Sequence, residues 1–338
     1  MITRRRLLAG SVAAVPLLMF GRQGWGAEPL KISHQFPGGT IDSGDFRDRL
    51  CRKFAQDVEA RTKGALKFQI YPGSSLMKTN AQFSALRKGA LDMSLYPIPY
   101  AGGEVAELNI GLMPGLVTSY EQAATWKTAE VGKAINDVLL EKGIVIVSWV
   151  WQAGGVASRA VPLVNPEDAK GMKVRGGSKE MDMILKAAGA SVLSLPSNEI
   201  YAAMQTGAAD AAMTSSTSLI SFRLEEVSKH LTTGRGKAYW FMLEPLLMAK
   251  SVFDALPKDQ QQMILQVGAE MEKFGTEQAK VDDKQVAEIY LKAGAKVYDL
   301  DDKAIKKWQA LARDTAWKDY AAKSPNCARL LQLAEKTL

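Results

Sequence analysis

The chain has 338 residues, 47% hydrophobic and 23% charged, enough to bury a substantial core and to fill two domains, which excludes a disordered or low-complexity protein. Its formal net charge is +7. Arg4, Arg5, Arg6 and Arg22 carry four of those charges before residue 28 with no acid among them, so 7 − 4 leaves +3 scattered over the remainder, with none of the basic clustering of a nucleic-acid surface.

Thr3-Arg4-Arg5-Arg6-Leu7-Leu8 leads into the apolar run Leu7 to Phe20, which ends in the small-residue segment Gly24-Trp-Gly-Ala27. This pattern predicts a secretory signal over residues 1–27, and the paired arginines before Leu-Leu resemble a twin-arginine signal. The run is short of the roughly 20 residues that span a bilayer, and no later stretch is longer. The mature chain is therefore expected in the periplasm, with the signal removed. Cys51 and Cys327 are the only cysteines. An oxidising compartment permits a disulfide between them, but Cys51 falls on or near the apolar face of a helical pattern, which favours two separate buried thiols.

Leu30-Lys-Ile-Ser-His34 alternates like a strand and is ended by Pro37-Gly-Gly39. Phe46, Leu50, Phe54 and Val58 recur every four residues, the stripe of a helix that Gly64 stops. Leu66–Tyr71 is the next strand, Asn80 to Lys88 a second helix closed by Gly89, and Leu91–Tyr96 a third strand ended by Pro97. The result is a β-α-β-α-β unit. Ile144-Val-Ile-Val-Ser-Trp-Val-Trp151 reads as one continuous strand buried on both faces. Gln152-Ala-Gly-Gly-Val156 reads as a flexible segment where the chain crosses to a second lobe.

A second β-α-β-α-β unit spans Gly171 to Ser216. The phrase Ala85-Leu-Arg-Lys-Gly89-Ala-Leu-Asp92 recurs there as Ala203-Met-Gln-Thr-Gly207-Ala-Ala-Asp210, a helix ending at Gly and a strand entered at Asp, which points to two related lobes. Right-handed crossovers make the three strands of the second unit parallel, with their carboxyl ends along one edge where open α/β sheets bind ligands. Arg175 stands at the first end, Ser197 and Asn198 at the second, and Thr214, Ser215 and Ser216 at the third. One cation among hydroxyls and an amide suits the holding of an anion. Ser and Asn before a helix also suit capping. From the first unit, Gln35, Tyr96 and Pro97 stand at strand ends facing the same crevice. Ala238–Ala249 reads as a return strand, and a long helix runs from Pro257 to about Lys292. Lys296–Leu300 is one more strand, and two helices finish the chain. Trp151, Gln152 and Trp240 flank the crossings, where aromatics serve either a ligand or hinge packing.

The segments Asn165-Pro-Glu-Asp-Ala-Lys-Gly-Met-Lys-Val-Arg175, Asn198-Glu-Ile-Tyr-Ala-Ala-Met-Gln-Thr-Gly-Ala-Ala-Asp210 and Phe253-Asp-Ala-Leu-Pro-Lys-Asp-Gln-Gln261 stand in the order and spacing of a known family. Tyr71-Pro-Gly-Ser-Ser-Leu76 and Lys88-Gly-Ala-Leu-Asp92 extend the likeness over most of the mature chain. The chain resembles the DctP-like periplasmic solute-binding proteins of TRAP transporters. That resemblance implies a two-lobed periplasmic-binding-protein-like α/β clamshell, each lobe a mixed sheet flanked by helices, with a long bracing helix. It implies a first lobe of residues 28–152 plus about 239–278, and a second of about 153–238 plus 279–338. It implies capture of a small organic acid by its carboxylate on Arg175, with Ser178 just beyond, and delivery to a membrane permease of one small and one large subunit. Sialic-acid-binding members carry a second arginine where this chain has Ala153-Gly154-Gly155, and sugar-acid binders a polar residue where it has Pro97. The expected ligand is thus a smaller, less hydroxylated carboxylate, an aromatic or 2-oxo acid held near Tyr96 or Trp240. A binding protein for an ABC importer or a sensor would share the fold. His34 and His230 lack metal spacing, and no nucleophile, P-loop or cofactor motif appears, so neither cofactor nor catalysis is expected, a carboxylate-only hydrolase being the remaining enzymatic alternative.

Overall fold

The computed structural model describes residues 28–338, so the export signal lies outside the described residues. The first lobe is built as expected: β1 (Leu30–Ser33), the helix Phe46–Arg61, β2 (Phe68–Tyr71), the helix Thr79–Arg87 and β3 (Met93–Leu95). β1 pairs in parallel with both β2 and β3. Phe46, Leu50, Phe54 and Val58 of the first helix are all buried, and the Asp45 side chain caps its N-terminus by accepting from the Arg47 amide at 2.9 Å.

The apolar run from Ile144 does not continue as one strand. β4 (Ile144–Ser148) ends before Trp149-Val150, and β5 runs from Trp151 to Ser158, every residue buried. The Gly-Gly of the expected flexible segment therefore lies inside a central strand. A Cβ on Gly154 would stand 2.1 Å from the Thr214 carbonyl oxygen and 2.4 Å from the Trp240 ring, and one on Gly155 2.2 Å from the Thr232 carbonyl oxygen. These glycines supply room for close packing, not freedom of motion.

The second lobe follows with β6 (Lys173–Arg175), the helix Lys179–Ala187, β7 (Ser191–Leu193), the helix Ile200–Gln205 and β8 (Ala211–Ser215). β6 pairs in parallel with β7 and β8, so the three strand ends do share one edge. The recurring phrase plays one structural role in both lobes. Asp92 accepts the Lys31 amide at 2.8 Å, and Asp210 accepts the Lys173 amide at 2.8 Å, each fixing the neighbouring strand where it begins. Gly89 and Gly207 close the preceding helices at φ of 67° and 77°.

β9 (His230–Thr233) joins the second sheet, and the expected return strand is in fact two: β10 (Phe241–Leu243) pairs with β5, and β11 (Leu246–Ala249) lies between β3 and β4. Pro245, which has no N–H to donate, sits at the break. With β12 (Lys296–Asp299) beside β9, the sheet orders are β2-β1-β3-β11-β4 and β12-β9-β5-β8-β6-β7. The chain thus crosses between sheets at Trp149-Val150 and again at Glu244-Pro245, where the Glu244 amide bonds the Val150 carbonyl at 2.8 Å.

The long helix Lys258–Lys292 lies across this double crossing, packed on the helix Phe46–Arg61 and β4 on one side and on the helix Ser216–Ser221 and β5 on the other. Consecutive acids tie it to both lobes: Asp283 accepts the Tyr120 hydroxyl at 2.7 Å, and Asp282 accepts the Thr217 hydroxyl at 2.7 Å. Burial raises the Asp282 carboxyl to about 6. After β12, helical residues 302–323 place Trp308 on the Val164 carbonyl and Trp317 on the Pro114 carbonyl, both at 2.8 Å. The last helix, Pro325–Glu335, packs against Glu130–Glu141 on the first-lobe side, although the sequence grouped it with the second. Cys51 and Cys327 are free, buried thiols.

Arg47 binds the lobes at the crossing. It is 0% exposed, and its guanidinium lies 3.6 Å from the Phe36 ring centroid. Its Nε and Nη2 meet Asp45 at 2.9 and 2.7 Å, Nη1 meets Glu244 at 3.2 Å and Ser215 at 3.3 Å, and Nη2 also meets Ser218 at 3.0 Å. All five donors of the fork are therefore spent. Burial still pushes the Glu244 carboxyl up to about 7 against the pull of Arg47.

Two outcomes follow. A Cβ on Gly268 of the long helix would stand 2.0 Å from the Val147 carbonyl oxygen. Gly268→Ala is expected to lower stability by about 1–3 kcal/mol in urea unfolding, although alanine ordinarily favours a helix by about 1 kcal/mol. Glu244 binds its proton more tightly folded than unfolded, so its contribution to stability falls as pH rises from about 4.5 to about 7, by on the order of 3 kcal/mol. Glu244→Gln is expected to flatten that part of the melting-temperature profile.

Candidate functional site around Arg175

Arg175 ends β6 and is 3% exposed. Its Nε donates to the Leu195 carbonyl at 3.0 Å, Nη1 to the Met213 carbonyl at 2.7 Å and Nη2 to the Tyr100 hydroxyl at 2.8 Å. All three partners are neutral oxygens, so two of the five N–H donors stay free. Asp182, on which the Arg175 charge acts, is a weak counter-charge, because burial raises its carboxyl above the ordinary range and its Oδ2 is engaged by Ser194 at 2.6 Å. A guanidinium taken out of water without a paired anion is costly, and it is relieved by a ligand that supplies one.

Tyr100, from the first lobe, closes over this arginine. Its hydroxyl accepts from Arg175 and also from the Ser197 amide at 3.2 Å, so one phenol bridges two strand ends of the opposite lobe. Gly177, at φ of 103°, lets the backbone pass where a Cβ would stand 2.8 Å from Arg175 Nη1. Tyr100, Gly177, Ser178, Lys179 and residues 194–196 line a recess of about 220 Å³ that opens to solvent between the lobes. On its inner side Arg175 shares a second, much smaller niche with Thr214 and Trp240.

The sequence-predicted residues divide among several places. Arg175, Thr214 and Trp240 surround the niche, and Ser178 lines the mouth. Ser178 also caps its helix, accepting from the Met181 amide at 3.0 Å, and reaches the Leu112 carbonyl of the first lobe at 3.4 Å. Ser197 is buried with its hydroxyl unpartnered, and Asn198 accepts from Thr79 of the first lobe at 3.4 Å. Ser215 caps the helix Ser216–Ser221 and serves Arg47. Tyr96 lies behind Tyr100, stacked on Phe83 and edge-on to the Tyr100 ring at 6.0 Å, and Pro97 is buried beside it, its carbonyl accepting the Tyr100 amide at 3.0 Å. Gln35 is 1% exposed with both amide atoms unpartnered. Gln152 donates to Glu244 at the crossing. Trp151 is not brought to the cleft: it packs edge-on against Trp126 and faces a recess with Tyr120 and Glu272 by the long helix.

Sequence reasoning missed Tyr100, Lys179, Arg47 and Glu244. Ile98-Pro-Tyr100 after a strand end is a weak signal for the first. Nothing local marks Arg47, whose partners lie 2, 168, 171 and 197 residues away. Among the described residues, no group of three His, Cys, Asp or Glu could hold a metal ion, and no helix is long and apolar enough to cross a membrane. His34 meets Asp48 at 3.1 Å through Nε2 with its buried Nδ1 unpartnered, and His230 meets Tyr298 at 3.3 Å.

The chain is similar to proteins whose roles are known. A family model described as bacterial extracellular solute-binding protein, family 7 (DctP), matches residues 44–324. A solute-binding protein of Albidiferax ferrireducens is 74% identical over 309 residues, 91% of each chain. The crystal structure of a TRAP periplasmic solute-binding protein from Rhodoferax ferrireducens with bound malonate is 74% identical, covers 91% of this chain and 98% of that one, and superposes with a TM-score of 0.90. The C4-dicarboxylate-binding periplasmic protein DctP of Rhodobacter capsulatus is 27% identical over 86% of each chain. A two-lobed fold and a family model over most of the length agree: the chain belongs to family 7 of the bacterial extracellular solute-binding proteins, the DctP family, and is a TRAP-type solute-binding protein.

Proposed function

We propose that this chain is the periplasmic receptor that captures a small organic acid between its lobes, fixes the carboxylate on Arg175, and delivers it to a TRAP membrane permease of small and large subunits. The buried, unpaired guanidinium carries this reading. A planar fork with two free donors suits the two oxygens of one carboxylate. The malonate bound by the Rhodoferax relative and the C4-dicarboxylates in the name of the Rhodobacter protein support an acid of that size. Lys179 at the mouth suits a second carboxylate. Ser178, Ser197, Asn198 and Thr214 act as neutral contacts around the bound acid, and Gln35 and Gln152 offer it amides. The twin-arginine pattern of residues 1–27 supports export.

The lobes divide at Trp149-Val150 and Glu244-Pro245, and they open about that double crossing to admit the acid. Tyr100 on Arg175, Ser178 on Leu112 and Thr79 on Asn198 are contacts of the closed form, which the permease recognises. The family is one of solute-binding proteins, and the groups around Arg175 suit the holding of an anion.

Two charge-assisted bonds contribute roughly 3–6 kcal/mol together, so Arg175→Ala is expected to weaken malonate binding by about 10²–10⁴-fold in calorimetry, with an unchanged fold by circular dichroism. Affinity equal to the wild type would sink the assignment. Tyr100→Phe removes two bonds between lobes, those from Arg175 and from the Ser197 amide, and is expected to weaken binding by about 10–10²-fold, read as a smaller ligand-induced rise in melting temperature.

A further inference from the structure

The niche on the inner side of Arg175 has a composition unlike that of the mouth. Leu112 reaches it from the first lobe, Met181 from the helix Lys179–Ala187, Met213 from β8, and Trp240 and Met242 from the segment that forms β10. Apart from Arg175 and the Thr214 hydroxyl, its lining side chains are apolar, and all five named are under a tenth exposed. Its positions are held from behind. The Tyr239 hydroxyl meets the Met213 sulfur at 3.7 Å, and the Trp240 ring lies where a Cβ on Gly154 would stand 2.4 Å away, so glycine at 154 is what admits the indole. The free space is about 10 Å³. That is about one water-sized or methyl-sized group.

We infer that Leu112, Met181, Met213, Trp240 and Met242 form a selecting wall, which restricts the carbon next to the Arg175-bound carboxylate to a bare methylene or a single small apolar substituent. This deepens the reading of Arg175 as the carboxylate anchor and rests on it. The physical basis is asymmetric. A hydroxyl pressed against thioethers and an indole ring loses its water and gains only weak thioether acceptors and the single Thr214 hydroxyl in exchange, which costs more than the burial of a methyl group returns. A substituent larger than methyl meets side chains that are already packed. Methionine makes such a wall soft enough to close on a short acid and still close enough to exclude a bulky one. The polar end of the ligand is left for the mouth, where Ser178 and Lys179 stand.

The test uses the mature chain and calorimetry with malonate, methylmalonate, ethylmalonate and hydroxymalonate. The wild type is expected to bind methylmalonate within about tenfold of malonate, and hydroxymalonate and ethylmalonate at least about tenfold more weakly than methylmalonate. Met242→Ala is expected to raise the affinity for ethylmalonate relative to malonate by at least about tenfold, with no gain for hydroxymalonate. Met213→Ala is the second variant should the first fail to fold, with the same expectation, and the wild-type series decides the polarity question without any variant. Hydroxymalonate binding as tightly as methylmalonate would overturn the wall, as would an ethylmalonate-to-malonate ratio unmoved by either variant. If malonate binds and Arg175→Ala abolishes it while those ratios fail, the wall alone is wrong. If none of the four acids binds, the carboxylate reading falls and the wall with it.

Discussion

A cation buried at 3% exposure among neutral oxygens is the constraint on which this structure turns. The carbonyls of Leu195 and Met213 fix the Arg175 fork in one orientation, and they exist at that spacing because β6, β7 and β8 are parallel and end together. The β-α-β-α-β topology of the second lobe is thus what aims the guanidinium at the opposite lobe. The first lobe answers with a phenol, not a carboxylate. Had Tyr100 been an acid, the pair would have neutralised itself and closed the cleft without cargo. A neutral acceptor holds the fork in place and leaves its charge unpaired within the protein.

The other buried arginine shows the contrast. Arg47 meets Asp45 and Glu244 and two serine hydroxyls, with no donor to spare. It joins the start of the helix Phe46–Arg61 to the crossing and to the helix Ser216–Ser221, while the long helix ties the same parts together through Asp282 and Asp283. One arginine is spent on architecture, and the other keeps the free donors on which the proposed ligand role rests. The number and charge of their partners decide which is which, and residue type does not.

Much of the fold could be read along the chain because it is written in local terms. The four-residue stripe of Phe46, Leu50, Phe54 and Val58 and the Gly that closes each helix act on neighbours within about one turn. The repeated phrase around Asp92 and Asp210 makes the same bond in both lobes, across 61 and 37 residues, because the same β-α-β-α-β order sets each Asp beside the start of a parallel neighbour. The readings that failed depend on what lies across a sheet. Gly154-Gly155 looks flexible in sequence, because glycine permits motion and also permits close approach; only the carbonyls of Thr214 and Thr232 show that the second is meant. An apolar run looks continuous from Ile144 to Trp151, because hydrophobicity does not record that its two halves join different sheets.

By itself the sequence determined the alternation of strands and helices, the two related lobes, the long helix and the place of Arg175 at a strand end, since each follows from periodicity and from residues that stop or cap an element. The tertiary structure decided where the chain crosses between sheets, that Trp151 turns toward the long helix while Trp240 faces the arginine, that Tyr100 meets Arg175, and that Arg47 meets Glu244. Those outcomes depend on side chains meeting across separations such as the 75 residues between Tyr100 and Arg175 or the 197 between Arg47 and Glu244. No local pattern records such a meeting, because the charge or space each residue encounters is supplied by the packing of the two lobes.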